Sequence, residues 1–239
     1  MKRIHAALIL VLCIGCMGAT VEAPLQMQEA GAVGQKGKPV NFYGDPGNTY
    51  RFMMDNTNLA VSDNGGGIQT DAAGRTRKFK LPVPSGMWVG GPVYFAPYKQ
   101  DFLVQYGLSS GEESSAKLVR LDGLSMEVKW IVGGVPFNMT PGLIQGGLVY
   151  VTGIGFVGAI DLDTGRYAWC VRDLYKGENI FAAFQEPTLE GDTLTARDKL
   201  VAAEDGTPYF IKVDWKHKKV ETNAPLPQPP QFLVGCPKQ

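Results

Sequence analysis

Residues 141–169, PGLIQGGLVYVTGIGFVGAIDLDTGRYAW, carry the clearest information about the fold. Short apolar segments alternate there with turn residues, in a pattern typical of β-strands. One turn is Gly153-Ile-Gly155 and another is Asp161-Leu-Asp-Thr-Gly165. Asp accepts hydrogen bonds from a turn backbone, and Gly tolerates a positive φ. The stretch predicts a four-stranded antiparallel sheet with strands at 143–144, 148–151, 156–160 and 166–171.

The same plan recurs in three other parts of the chain. The copies lie in residues 58–81, 90–107 with 116–130, and 186–223. An aspartate stands at the third turn of each copy, and the four are Asp71, Asp122, Asp161 and Asp214. Trp130 and Trp169 each follow their aspartate by eight residues. An internal repeat of this kind predicts several similar sheets in succession.

The segment AIDLDTGRYAW (159–169), preceded by Pro141 and two apolar strands, resembles the pyrroloquinoline-quinone-like repeat. That repeat occurs in quinoprotein dehydrogenases and in the outer-membrane-barrel assembly lipoproteins of bacteria, which are much longer chains. The resemblance covers residues 45–222. It implies an all-β fold, namely a small β-propeller of about four four-stranded blades.

In this family pattern the aspartate and glycine of the last turn fix the exit of the outer strand. A tryptophan then fills the wedge between neighbouring blades. The matching residues are Asp71, Asp122, Trp130, Asp161, Gly165, Trp169 and Asp214. We expect the blades to close into a ring, because closure removes exposed sheet edges. A partial propeller completed by a second copy and a more irregular β-assembly are the alternatives.

Residues 1–19 have the organisation of a secretory signal peptide, with Lys2 and Arg3 before a short apolar run and small residues. Cleavage is expected between residues 15 and 23. It follows Ala19 in one interpretation. In the other it precedes Cys16, whose Ile14-Gly15-Cys16 context resembles a bacterial lipobox, and the cysteine becomes lipidated. Either way the protein is exported, as a periplasmic protein or an outer-membrane lipoprotein of a bacterium.

The segments at the two ends of the mature chain have little periodicity. Residues 20–44 are interpreted as a flexible tether. Residues 223–239 form a Pro-rich tail in which 232–235 are apolar, and we expect these to add a strand to the first or last blade. Cys170 and Cys236 are the cysteines left after the signal, so they are a candidate disulfide or two unrelated thiols.

The charge balance excludes one class of partner. Lys plus Arg and Asp plus Glu number 23 each, and removing Lys2 and Arg3 with the signal leaves a balance of −2. The mature chain therefore has no excess of positive charge that would attract nucleic acid or anionic lipid. Membrane contact is expected only through the lipid anchor.

Catalytic patterns are also missing from the sequence. His217 is the one histidine of the mature chain and has no ligand-spaced companion, so neither a metal nor a cofactor is predicted. We predict a non-enzymatic scaffold of the cell envelope that presents its loops to a protein or another envelope component. The resemblance also implies an alternative, a fragmentary quinone-dependent dehydrogenase-like enzyme of the periplasm.

Overall fold

The computed structural model describes residues 25–29, 32–33, 49–54, 57–135, 141–174, 183–202, 208–223 and 229–236. Regular structure in these ranges consists of strands, all paired antiparallel in four sheets. The predicted all-β class is therefore confirmed. The signal peptide, Cys16 and most of the proposed tether lie outside the described residues.

Three short strands come first: β1 (Leu25–Gln26), β2 (Gln28–Glu29) and β3 (Ala32–Val33). The strands of sheet 1 are β4 (Thr49–Met54), β5 (Thr57–Ser62), β6 (Gly66–Thr70) and β7 (Thr76–Lys80). Those of sheet 2 are β8 (Trp88–Tyr98), β9 (Asp101–Ser109), β10 (Ser114–Leu121) and β11 (Val128–Val135). Those of sheet 3 are β12 (Leu143–Gln145), β13 (Leu148–Gly153), β14 (Phe156–Asp161) and β15 (Arg166–Val171). Those of sheet 4 are β16 (Phe184–Glu190), β17 (Thr193–Ala202), β18 (Pro208–Asp214) and β19 (Lys219–Thr222), and β20 (Phe232–Val234) ends the series.

Each sheet is a meander of four consecutive strands, as the repeat predicts. We call the edge formed by the first strand of a sheet its inner edge and the edge formed by the fourth its outer edge. In sheet 3 the four strands begin at the predicted residues and end within two residues of the predicted ends.

Among the described residues, three apolar clusters hold the sheets together, and each bridges two consecutive sheets. The first joins Leu59 and Val61 of sheet 1 to Val104 of sheet 2. The second joins sheets 2 and 3, and the third joins sheets 3 and 4. Successive side chains of a strand point to opposite faces, so in sheet 2 Val104 enters the first cluster and Leu103 the second. The arrangement is that of neighbouring propeller blades packed face to face.

The expected closure of sheet 4 onto sheet 1 is not found among the described residues, where no apolar cluster joins these two sheets. The face of sheet 4 turned away from sheet 3 carries a cross-strand row of polar residues, Thr188, Thr195, Lys212 and Glu221. The face of sheet 1 turned away from sheet 2 pairs Ile68 with Lys78. A polar outer face such as that of sheet 4 is typical of a terminal repeat of a stacked array.

The N-terminal segment differs from the predicted tether. Strand β1 pairs with β12, β2 with β8, and β3 with β4, so the segment contacts the inner edges of sheets 3, 2 and 1 in turn. An inner edge offers unpaired N–H and C=O groups, which an extended chain satisfies. Between β1 and β2, Met27 is 1% exposed, and its N–H donates to the carbonyl of Gly142 at 3.0 Å. The tether prediction is wrong for these residues.

The C-terminal strand also departs from expectation. Strand β20 pairs with β15, which places Val234 opposite Trp169. It therefore extends the outer edge of sheet 3, and its assignment to the first or last blade was wrong. Two contacts explain the position: the ring of Phe232 stacks on Trp169 at 5.5 Å, and a disulfide joins Cys236 to Cys170.

Candidate functional site

The turns of the four sheets lie at two opposite faces, because successive strands of a meander run in opposite directions. One face collects the turns between first and second strands and between third and fourth strands of each sheet. We call it the Asp-turn face, and its turns include 99–100, 122–127, 146–147, 161–165 and 214–218. The connector face collects the turns between second and third strands, such as 63–65, 110–113 and 154–155, and the links between sheets.

The four repeat aspartates occupy equivalent turns on the Asp-turn face. The Oδ1 atom of Asp161 accepts hydrogen bonds from the N–H groups of Asp163 at 3.1 Å and Thr164 at 2.7 Å. Asp122 accepts from Leu124 and Ser125 in the same way, at 2.9 and 2.8 Å. Asp71 and Asp214 likewise accept from backbone N–H groups of their own turns. The short acidic side chain thus ties each turn to its backbone.

The fifth residue of three of these turns has a positive φ, although only one of the three is a glycine. Gly165 has a φ of 67° and takes this left-handed conformation without strain. In the equivalent place Met126 has a φ of 62° and Lys218 a φ of 56°. The aspartate is therefore the residue common to all four turns, while the Thr-Gly pair stands only in the turn of sheet 3.

Trp130 connects sheet 2 to the Asp turn of sheet 3. Its Nε1–H donates to the carbonyl of Leu162 at 3.1 Å. A Cβ atom added at Gly165 would lie 2.6 Å from the Trp130 ring, so only glycine permits this contact. The turn glycine thus has two roles, the positive φ and the room for the tryptophan of the preceding sheet.

Trp169 has the corresponding position between sheets 3 and 4. It is 3% exposed, and its ring stacks on Trp215 of the sheet 4 turn with centroids 6.3 Å apart and planes at 10°. Tyr150 also contacts Trp215, with centroids 5.3 Å apart. The sequence analysis identified Trp169 but missed Trp215. The position of Trp215 directly after the repeat aspartate Asp214 is the feature of the sequence that could have revealed it.

Sheet 1 uses a different aromatic residue for the same purpose. Phe79 stands eight residues after Asp71, which is the spacing of Trp130 and Trp169 from their own aspartates. It is buried in the cluster that joins sheets 1 and 2. Beside it, Arg77 donates to the carbonyls of Gly123 and Leu124 in the sheet 2 turn. Sequence reasoning missed Phe79 because it sought tryptophan rather than any aromatic residue at that spacing.

A buried ionic network ties sheet 2 to sheet 3 at the Asp-turn face. The side chain of Asp101 is 0% exposed and accepts from Arg120 Nε at 2.6 Å and from Lys129 Nζ at 2.8 Å. Arg120 also donates to the carbonyl of Leu162 at 2.6 Å and to Asp163 at 3.1 Å. One guanidinium therefore connects a strand of sheet 2 to the Asp turn of sheet 3.

The network is electrically balanced and its members favour their charged forms. Burial opposes ionisation of Asp101, but hydrogen bonds from Lys129 and Arg120 hold its pKa below the usual value. The hydrogen bond from the backbone N–H of Ser125 lowers the pKa of Asp122, and the hydrogen bond from the side chain of Lys129 lowers it further. Three carboxylates and three cations take part: Asp101, Asp122, Asp163, Lys99, Arg120 and Lys129. Such pairing fixes the turns, and it leaves these acids engaged rather than poised for proton transfer.

The histidine considered in the sequence analysis is not part of this ionic network. His217 is exposed, and its ring pairs with Asp214 in the same turn at 2.8 Å. In the ranges that the structure describes, no three His, Cys, Asp or Glu residues form a cluster suited to a metal ion. A helix long and apolar enough to cross a membrane is likewise not found there.

The disulfide between Cys170 and Cys236 fastens the C-terminal strand to sheet 3. The two Cα atoms are 5.8 Å apart. Within this strand Phe232 packs against the cluster of sheets 3 and 4, while Leu233 packs against the cluster of sheets 2 and 3. The strand therefore reinforces two junctions at once.

Replacing both cysteines, as Cys170→Ala with Cys236→Ala, should lower the free energy of unfolding by about 2–4 kcal/mol, since the bond closes a long loop in the unfolded chain. Urea denaturation monitored by tryptophan fluorescence measures the change. The oxidised wild type is the reference, and the wild type treated with dithiothreitol should match the variant. An unchanged urea midpoint in both would contradict the role given to this bond.

The consecutive four-stranded sheets and the aromatic contacts to the next turn define a small β-propeller. Among solved structures, the chain is similar to BamB from Moraxella catarrhalis, with a TM-score of 0.50 and 15% sequence identity. The similarity covers 85% of this chain and 66% of that one, so the chain spans just under two thirds of BamB. At this identity the likeness shows the fold. No family model matches the sequence, and no curated protein matches it.

Proposed function

We propose that this protein is a non-enzymatic propeller of the bacterial cell envelope that binds a protein or another envelope component through loops at one face of its sheets. The similarity of its fold to BamB, an outer-membrane assembly lipoprotein, supports this class of function. The signal-like residues 1–19 support export. Cys16, in its lipobox-like context, supports attachment to a membrane.

The observation that carries the proposal is the construction of the Asp-turn face. Its turns are tied by their aspartates, and the ionic network around Asp101 and Arg120 fixes two of them to each other. Leu124, at the tip of one of these turns, is 80% exposed. Rigid turns that display such a side chain are suited to binding, since little conformational entropy is lost when a partner docks.

Site-specific photo-crosslinking in intact cells tests the proposal. A photoreactive amino acid is placed at Leu124 on the Asp-turn face, at Glu112 on the connector face, or at Ile68 on the side of sheet 1 that is turned away from sheet 2. We expect one discrete protein adduct from a loop face, identified by mass spectrometry and lost when unlabelled protein is overproduced. Ile68 is the matched control and should give no such adduct. The same adducts at all three positions, or none at either loop face, would refute the proposal.

A further inference from the structure

Sheet 3 shows how this fold accepts an additional strand at an outer edge. Strand β20 pairs with β15 and places Phe232 opposite Val171. The side chain of Phe232 packs against the cluster between sheets 3 and 4, while that of Leu233 packs against the cluster on the other side. The outer edge of a sheet can therefore bind an extended segment whose alternate side chains enter the junction with the next sheet.

The outer edge of sheet 1 has the same construction, and within the described residues no strand is added to it. Strand β7 is the last strand in the order of this sheet. Phe79 and Val171 each lie opposite the residue that stands four positions before the aspartate of their own turn. In register Phe79 therefore corresponds to Val171, and a residue placed opposite Phe79 would correspond to Phe232.

The backbone of β7 presents hydrogen-bonding groups on its outer side. The N–H of Leu81, directly after β7, donates to the carbonyl of Gly65 on the side of β6 at 2.8 Å. Peptide groups point alternately to the two sides along a strand, so the N–H and carbonyl groups of Lys78 and Lys80 point away from β6. These are the groups to which an added strand would bind.

A pocket of about 500 Å³ lies where β7 meets the Asp turn of sheet 2. Its apolar wall consists of Phe79 from β7 and of Met126 and Val128 from sheet 2. It opens on the side of β7 that faces sheet 2, as Phe232 lies on the side of β15 that faces sheet 4. Because the carboxylate of Glu127 also lines the pocket, an apolar side chain fits there better than an acidic one.

The opposite face of β7 is basic. Lys78 and Lys80 alternate with Phe79 along the strand, and both are exposed. Residues of an added strand that lie opposite these two lysines would share their face, where opposite charges on neighbouring strands attract each other. The edge therefore favours an extended segment in which an apolar residue stands between two acidic ones.

The other outer edges are less suited to such a segment. Strand β15 is already paired with β20. In β11, the carbonyl of Gly134 accepts a hydrogen bond from the hydroxyl of Tyr167 at 3.2 Å. Strand β19 has four residues and carries both signs of charge, since Lys219 pairs with Glu221. Strand β7 is therefore the outer edge that fits an added acidic strand best.

We propose that the outer edge of sheet 1 binds an extended acidic segment of another protein, which adds to β7 as a further antiparallel strand. The segment places an apolar side chain in the pocket beside Phe79 and acidic side chains next to Lys78 and Lys80. This site lies on a strand edge, so it goes beyond the proposed binding through loops.

Fluorescence anisotropy with the purified full-length protein tests the site. The probe is a fluorescein-labelled peptide, Gly-Ser-Thr-Glu-Phe-Glu-Thr-Ser-Gly. We expect it to bind about tenfold more tightly than the same peptide with Lys-Phe-Lys or Glu-Ala-Glu at its centre. The charge-reversed protein, Lys78→Glu with Lys80→Glu, should prefer the Lys-Phe-Lys peptide. Equal binding of the three peptides to the wild type, no binding at all, or an unchanged preference in the folded variant would overturn the proposal.

Amide hydrogen exchange, followed by nuclear magnetic resonance, distinguishes strand addition from a simple attraction of charges. A saturating amount of the Glu-Phe-Glu peptide should slow the exchange of the Lys78 and Lys80 amides by about fivefold or more. The amide of Phe79, which points toward β6, is the internal control and should change little. Binding without this selective protection would overturn the proposal. Strong protection of Lys78 and Lys80 before peptide is added would also overturn it, because the edge would then be filled by this chain or by a second copy.

These measurements are independent of the proposed loop-face function. Leu124 and Glu112 lie outside β7 and do not line the pocket. Their photo-crosslinking adducts therefore decide binding through the loops whatever the peptide shows.

Discussion

Replacing Trp169 by alanine should lower the free energy of unfolding by about 3–5 kcal/mol, the usual cost of truncating a large buried aromatic side chain. Trp169 stacks between Phe232 and Trp215, so its loss opens the junction of sheets 3 and 4 and loosens the C-terminal strand as well. Urea denaturation followed by circular dichroism measures the change. A loss of this size is a large share of the stability of a typical domain.

Two control variants test the reason for the effect. In the described part of the chain the Nε1 of Trp169 is buried without a hydrogen-bond partner, so Trp169→Phe keeps most of the stack and breaks no hydrogen bond. It should cost clearly less than Trp169→Ala, because it removes fewer buried ring atoms. His217→Ala, at an exposed turn, should cost less than about 1 kcal/mol. Equal midpoints for Trp169→Ala and His217→Ala would show that the aromatic junction does not stabilise the fold.

The Asp101→Asn variant should lose about 3–5 kcal/mol, the usual cost of removing one partner of a buried ion pair, because Arg120 and Lys129 would keep only the more exposed carboxylates of Asp163 and Asp122. Arg120 would remain largely buried beside a neutral amide. Asp163→Asn is the matched control at the exposed end of the same network. Since Asp163 is mostly exposed, its loss should cost far less than the loss of Asp101. A similar cost for both variants would show that burial of Asp101 is unimportant.

The Asp101 carboxylate makes the stability of the folded protein depend on pH, and the direction of this dependence follows from its lowered pKa. The pKa of Asp101 is lowered in the folded state, so its stabilisation is complete above the unfolded value of about 4. It is lost as the pH falls through the folded-state pKa, because the unfolded chain then binds more protons. Wild-type stability should therefore fall below about pH 4, while Asp101→Asn should show a shallower fall. Parallel pH profiles would contradict this account.

Local features of the fold followed from the sequence. The strands of sheet 3 were predicted to within two residues, since its turns contain Gly153, Gly155, Asp161 and Gly165, which restrict the backbone over a few positions. The aspartate spacing likewise located the third turn of every sheet. Information of this kind is local, so one sequence contains it directly.

Long-range features could not be predicted in this way. Strands β1 to β3 carry no strand period of their own, and they are stabilised by edges that form elsewhere. The partner of Phe232–Val234 is chosen by Trp169 and Cys170, which are distant in sequence. The candidate site has the same origin: Asp101, Arg120 and Asp163 come from three separate strands or turns.

The N-terminal segment also has a consequence for the order of folding. It leaves the ribosome before the four sheets, yet Leu25 pairs with Ile144, which is synthesised more than a hundred residues later. Its three strands can find their partners only after sheets 1, 2 and 3 exist, so closing these distant contacts belongs to the last and slowest stage of folding. Until then three inner edges remain open to pairing with other chains. The newly made protein is therefore most prone to aggregation before strands β1 to β3 have paired with these edges.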